Sequence, residues 1–225
     1  MADSGREGGG APRVVDLAGL AEALAAGQGA GRRIVGVAGA PGSGKSTFAE
    51  ALAAALEARG VAAAVLPMDG FHFDDMVLNA RGHRPRKGAP HTFDVDGLAA
   101  LLGRLAADDG REVAVPVFDR AIEIARAGAR IIGPEVRLVV VEGNYLLLDD
   151  PAWARLRDAF DATVFLDVPE PALETRLQAR WTGYALTPDE IVAKLEGNDL
   201  PNARLVARSS APADFVVRNV AAGEA

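Results

Sequence analysis

Short apolar runs alternate with segments of helical period from one end of the chain to the other. Residues 33–38 (RIVGVA), 61–66, 137–142 (RLVVVE) and 162–168 (ATVFLDV) are apolar without strict alternation, the pattern of strands buried on both faces. Between them, residues 14–26, 45–58, 94–107, 151–160 and 170–182 read as helices. Thr187-Pro188-Asp189-Glu190 is a capping box with proline at the first helical position, which starts a helix running to about Glu196. Further short strands are predicted near 112–118 and 129–132 and at 214–218, while 69–92 reads as an irregular, charged region. This alternation predicts an α/β protein with a mainly parallel central sheet. Residues 1–13, rich in Gly and small polar residues and without the basic-then-apolar order of a secretory signal, read as a disordered lead; residues 14–225 read as one domain.

Composition narrows the class. A chain of 225 residues suits one well-cored domain, and no apolar stretch approaches the ~20 residues of a membrane span. The absence of cysteine removes disulfides, thiolate metal sites and cysteine nucleophiles, and agrees with a cytoplasmic setting. A net charge of −7 excludes a general nucleic-acid binder, so an anionic ligand must be held by a local site. Arginine outnumbers lysine 21 to 3, so Lys45, Lys87 and Lys194 are positions where an ammonium group matters.

One such site is legible. Gly39-Ala40-Pro41-Gly42-Ser43-Gly44-Lys45-Ser46 fits G-x-x-x-x-G-K-[ST] between a predicted strand and a predicted helix. Glycines let successive N–H groups converge on phosphate oxygens, and the positive end of the following helix adds to their field. Lys45 is expected to reach the β and γ phosphates of ATP and Ser46 to help hold Mg²⁺. Thr47 reads as a first-turn helix residue rather than a second metal ligand.

Ligands of open parallel sheets gather at the carboxyl ends of the strands, which gives polar residues there a functional reading. Glu142 ends the run LVVV and suits a carboxylate orienting Mg²⁺ or its waters; the alternative is a solvated strand end. Asp69 ends VAAAVLPM, with Gly70 permitting a sharp turn. It suits a base that takes a proton from an acceptor hydroxyl, and equally an Asx-turn with no catalytic role. Arg176 and Arg180, four apart, share a helix face.

Taken together, GAPGSGKS, MDGFHFDD, the basic loop ending KGAPHTFD, VVVEGNYLLL, the R-x-x-x-R helix and NDLPN resemble the phosphoribulokinase, uridine kinase and pantothenate kinase family over residues 33–218. The resemblance implies a P-loop NTPase three-layer α/β/α sandwich with a helical lid. It implies transfer of the γ-phosphoryl group of ATP to a hydroxyl of a small metabolite: a nucleoside, a sugar or a pantothenate-like acceptor. It makes Asp69 the catalytic base, Glu142 a metal-site or substrate acid, and Arg176 and Arg180 lid residues that close over the phosphates. The KGAPHTFD and NDLPN stretches look more like the pantothenate kinase branch, whereas the chain is shorter than a typical member of that branch. A homodimer is implied at the family level only. The rival class is a P-loop ATPase switch, or a nucleotide-binding regulator, acting on a protein partner.

Around the acceptor, His72 stands three residues after Asp69 and suits a hydrogen bond to substrate or a turn-stabilising role. The spacings of His72, His83 and His91 match no zinc pattern. Arg81, Arg84, Arg86 and Lys87 form a cationic loop that suits a phosphorylated substrate, the ATP phosphates or plain solvation. Phe118, Asp119 and Arg120 are candidate pocket walls, and Asn144 and Tyr145 face either the pocket or, for Tyr145, the core. Asn198 and Asn202 are placed in a late loop near the adenine.

Overall fold

The computed structural model describes residues 11–27, 29 and 31–220. The apolar runs become a six-stranded, all-parallel sheet in the order β1-β8-β7-β2-β6-β3. Its strands are β1 (Arg13–Val14), β2 (Arg33–Gly39), β3 (Ala63–Pro67), β6 (Leu138–Gly143), β7 (Ala162–Asp167) and β8 (Phe215–Arg218). Two strands, β4 (Val113–Asp119) and β5 (Ile124–Ile132), leave the sheet as an antiparallel ribbon. The ribbon's register shifts between Val115 and Val117, at Pro116, which has no N–H to give to a ladder.

The central strands bury both faces, and alternate residues feed two cores. On one side Val35 and Val37 of β2 and Leu138 and Val140 of β6 meet α1 (Leu17–Ala26) and α2 (Lys45–Glu57). On the other, Ile34, Ala38, Val139 and Val141 meet α4 (Val95–Ala106), with Tyr145, Trp153 and Phe160. That is the expected three-layer sandwich. A third, smaller cluster joins Ala40 to α6 (Glu170–Gly183), α7 (Pro188–Lys194) and α8 (Leu200–Ser209), the helical lid. Among the described residues no helix is long and apolar enough to cross a membrane.

Several expected boundaries shift. The helix expected from residue 14 begins at Leu17, where the Asp16 side chain accepts from the Gly19 N–H, and Arg13–Val14 pair with β8. The end of the expected lead is therefore a strand; residues 1–10 lie outside the described residues. The irregular region after β3 contains a short helix, α3 (Asp75–Ala80), capped by Asp74, and three 3₁₀ turns. The helix expected over 151–160 is one turn, α5 (Pro151–Ala154), followed by a 3₁₀ turn at Arg157–Ala159. The late loop is not a loop: α7 passes through a π-helical turn, Leu195–Asp199, directly into α8.

Leu102 of α4 is fully buried, whereas Ile122 at the ribbon tip is 58% exposed. Leu102→Ala should therefore cost about 2–5 kcal/mol and Ile122→Ala no more than about 0.5 kcal/mol in urea unfolding midpoints at unchanged slope.

Candidate active site

At the carboxyl ends of the strands lies a cleft of about 700 Å³. Its floor is the turn from β2 into α2, where Gly42 and Gly44 both adopt φ of 82°. A Cβ on Gly42 would come within 2.9 Å of Leu177 from the lid, so this position requires glycine for both conformation and space. Pro41, Gly42, Gly44, Lys45, Ser46 and Thr47 line the cleft; Gly39, Ala40 and Ser43 lie behind it and shape the turn, with the Ser43 N–H donating to Ala40 O.

Lys45 is buried, and its ammonium donates to Ala40 O at 2.9 Å and to Ser43 Oγ at 3.4 Å. Burial pushes its pKa down to about 8, against the pull of Glu142 and Asp69. Beside it the Ser46 hydroxyl donates to Glu142 Oε1 at 2.9 Å. Burial, and then the proximity of Asp69, raises the Glu142 carboxyl above the ordinary carboxylate range. A hydroxyl and a carboxylate oxygen side by side are the donor set that a hard cation such as Mg²⁺ takes from a protein when phosphates and water supply the rest.

The register of the sheet delivers the second acid. Glu142 lies opposite Val37 on one side and Pro67 on the other, and the chain turns into the 3₁₀ turn Met68–Phe71 immediately after Pro67. Asp69 thus lines the same cleft as Lys45, Ser46 and Glu142. Its own backbone carbonyl accepts from His72 Nδ1 at 2.7 Å. Since a carbonyl only accepts, that nitrogen carries the proton, and burial lowers the His72 pKa, favouring a neutral ring with Nε2 free to accept. The ring packs between Phe93 and Phe118, with centroids 4.1 and 4.7 Å away. Gly70 is forced by packing: a Cβ there would lie 2.6 Å from Pro116 O of the ribbon.

The expected substrate residues divide. His72, Arg84, Lys87, Phe118 and Glu142 line the cleft. Lys87 donates to Asp75 at 2.6 Å and to Glu123 O at 2.7 Å, and Arg84 pairs with Asp75 at 2.7 Å. Tyr145 does not line it; the ring is in the core and its hydroxyl donates to Gly88 O at 2.6 Å, steadying the basic loop from behind. Asp119 is also outside, accepting from Ala121 N and pairing with Arg126 to close the ribbon tip. Of the lid pair, Arg180 lines the cleft, whereas Arg176 turns to Asn219 O at 2.8 Å, on a residue whose side chain donates to Ser43 O.

Two features carried little sequence signal. Arg120, read only as a wall, donates to Asp69 Oδ2 at 2.8 Å, a pairing across 51 positions that the ribbon creates. The π turn is the other. Pro201 has no N–H for the Gly197 carbonyl four residues back, and Arg86 Nη1 satisfies that carbonyl at 3.0 Å. Asn198 Nδ2 donates to Lys87 O, so the lid and the basic loop are pinned together. Asn198 and Asn202 therefore act from a helix, not from the expected loop.

Residues 11–72 match the family model of the methylmalonyl Co-A mutase-associated GTPase MeaB, a stretch that ends just beyond Asp69. The chain is 32% identical over 197 residues to C227.14 of Schizosaccharomyces pombe, provisionally named a uridine kinase, covering 84% of each chain. It is 36% identical over 190 residues to the uncharacterized protein YggC of Escherichia coli K12, covering 83% of this chain and 77% of YggC. It is 30% identical over 153 residues to a pantothenate kinase of Yersinia enterocolitica, covering 63% of this chain and 47% of that enzyme, so the aligned part is about half the enzyme's length. Among solved structures, a protein of Silicibacter sp. TM1040, provisionally named a fructose transport system kinase, superposes with a TM-score of 0.85 at 46% identity, covering 90% of this chain and 98% of that one.

The Lys45 environment sets a pH dependence. Below about pH 8 the ammonium is charged and can hold phosphate; above it the free protein loses that cation. Mg-ATP affinity measured by calorimetry should be level from pH 6.5 to 7.5 and weaken above pH 8, by up to about tenfold per pH unit. Lys45→Met should bind weakly throughout, without that alkaline slope.

Proposed function

This chain belongs to the P-loop kinases related to uridine kinase and pantothenate kinase, and from that premise we propose that it transfers the γ-phosphoryl group of Mg-ATP to a hydroxyl of a small metabolite. The observation that carries the reading is the placement of Asp69 in the same cleft as Lys45, Ser46 and Glu142. Ser46 and Glu142 already supply the donors a nucleotide switch needs for its metal, so a second carboxylate, in the turn after β3, has work where an acceptor hydroxyl must lose a proton.

In this reading the amides of residues 42–46 and Lys45 hold the β and γ phosphates, and Arg180 approaches from the lid as charge spreads over the transferred group. Ser46 and Glu142 would hold Mg²⁺, which when bound neutralises phosphate charge. Asp69 accepts the proton of the attacking hydroxyl. The neutral His72, fixed through Nδ1, offers Nε2 to the acceptor, and Phe93 and Phe118 wall the acceptor side. Arg176 acts at one remove, bracing Asn219 against the P-loop. The relatives' names suggest nucleosides, pantothenate and sugars as acceptors to try. The unit is taken as a single domain over residues 14–225, with a homodimer implied by family likeness and a cytoplasmic setting by the absence of cysteine.

The match of residues 11–72 to a GTPase family favours, as a second reading, a nucleotide switch acting on a protein partner. The two separate on one assay: ADP release with Mg-ATP against nucleosides, sugars, polyols, hydroxy acids, sugar phosphates and pantothenate. Acceptor-dependent turnover is expected, with kcat of Asp69→Asn lower by about 10²–10⁴-fold and the KM for ATP little changed. Hydrolysis that no small molecule stimulates, in wild type and Asp69→Asn alike, would select the switch.

A further inference from the structure

Three cations of the basic loop and the ribbon line the cleft, and two are neutralised by groups that take no part in the chemistry: Arg84 and Lys87 share Asp75, with Glu123 O as a further partner for Lys87. The third, Arg120, has Asp69 as its carboxylate partner, at 2.8 Å. Both side chains are partly exposed, 54% for Arg120 and 27% for Asp69, so their mutual attraction is of the weak, solvent-screened kind that a ligand can displace. Asp69 can offer Oδ1 to a hydroxyl while Oδ2 meets Arg120, and it ceases to be a counter-ion once it takes the hydroxyl proton. A half-exposed guanidinium beside the acceptor is then open to a second anion, one that the substrate itself can carry.

We propose that the acceptor supplies it: the substrate is a short hydroxy compound bearing an anionic group, carboxylate or phosphate, a few bonds from the hydroxyl that is phosphorylated. The proposal rests on the kinase reading above. Arg120 binds the anion while Asp69 faces the neighbouring hydroxyl. The acceptor oxygen forms a bond to the γ-phosphorus, the bond from that phosphorus to the β,γ-bridging oxygen breaks, ADP leaves with the electron pair, and the hydroxyl proton passes to Asp69. In the free protein the same pair occupies Oδ2 of the base, so the pocket favours a molecule that carries both functions. Arg120 sits at the tip of the ribbon and not on the lid, which assigns it to the acceptor and separates it from Arg180. A neutral nucleoside, sugar or polyol would leave the guanidinium without an anion.

Matched pairs test this: glycerate against glycerol, gluconate against sorbitol, pantothenate against pantothenol, and fructose 6-phosphate and glycerol 3-phosphate against fructose and glycerol, each with Mg-ATP. The expected result is that at least one anionic member exceeds its neutral partner in kcat/KM by on the order of 10²-fold. The carboxylate and phosphate arms identify the anion. Arg120→Ala should shrink that ratio to less than about tenfold, raising the KM for the anionic acceptor more than the KM for ATP, and Arg120→Lys should recover part of it. Equal or better use of the neutral partners would overturn the anion while leaving the kinase reading intact. An Arg120→Ala defect equal for both members of each pair would overturn the assignment of Arg120. ADP release indifferent to every acceptor would remove the kinase reading, and this proposal with it.

Discussion

The chemistry of this cleft depends on the parallel register of three strands. Because Glu142 of β6 lies level with Val37 of β2 and Pro67 of β3, the chain leaves β2 as a phosphate-binding turn and leaves β3 as an acidic turn at one height. Slipping any one strand by a single residue would turn its alternate side chains to the opposite core. The two apolar cores therefore hold the register against a one-residue slip, and the register sets the site: Val35 and Val37 face α2, while Ile34 and Ala38 face α4.

Within that frame, burial sets the electrostatics. Lys45 and Glu142 are both shifted toward their neutral forms by burial, each with only partial compensation from the other. A cation and a carboxylate held this way are poor partners for each other and good partners for a triphosphate and its metal, which bring the missing charge. The lid completes the arrangement through contacts with the basic loop. Pro201 frees the Gly197 carbonyl, Arg86 takes it, and Asn198 holds Lys87 O. Movement of α6 and α7 toward the phosphates would thus be felt by the loop that carries Lys87.

Much of this was legible in the chain. The apolar runs gave the central strands to within about two residues, and the P-loop fell between the strand and helix its mechanism needs. Asp69 and Glu142 could be placed at the cleft because they stand at strand ends, where such sheets open toward their ligands. What failed had particular causes. Arg176 and Arg180 share a helix face by spacing, but only the residue one turn further along clears the P-loop and reaches the cleft. Tyr145 follows Glu142 by three residues, yet its ring is fully buried in the core against Phe93 and Trp153. The stretch after Glu196 read as a loop, whereas a π turn and a distant arginine let the helix continue through Gly197 and Pro201. Arg120 meets Asp69 only because β4 and β5 leave the sheet, a long-range event that local pattern does not encode.

In the proposed reaction the site moves phosphorus onto a small molecule and not onto water. Following Mg-ATP by ³¹P NMR in the presence of wild-type protein and the acceptor panel tests it most directly. Phosphoryl transfer would show as loss of the γ signal with matching growth of ADP and of a new phosphate monoester, and no such monoester would form on the same time scale with Asp69→Asn. Growth of inorganic phosphate alone, at one rate with or without any acceptor, would contradict it.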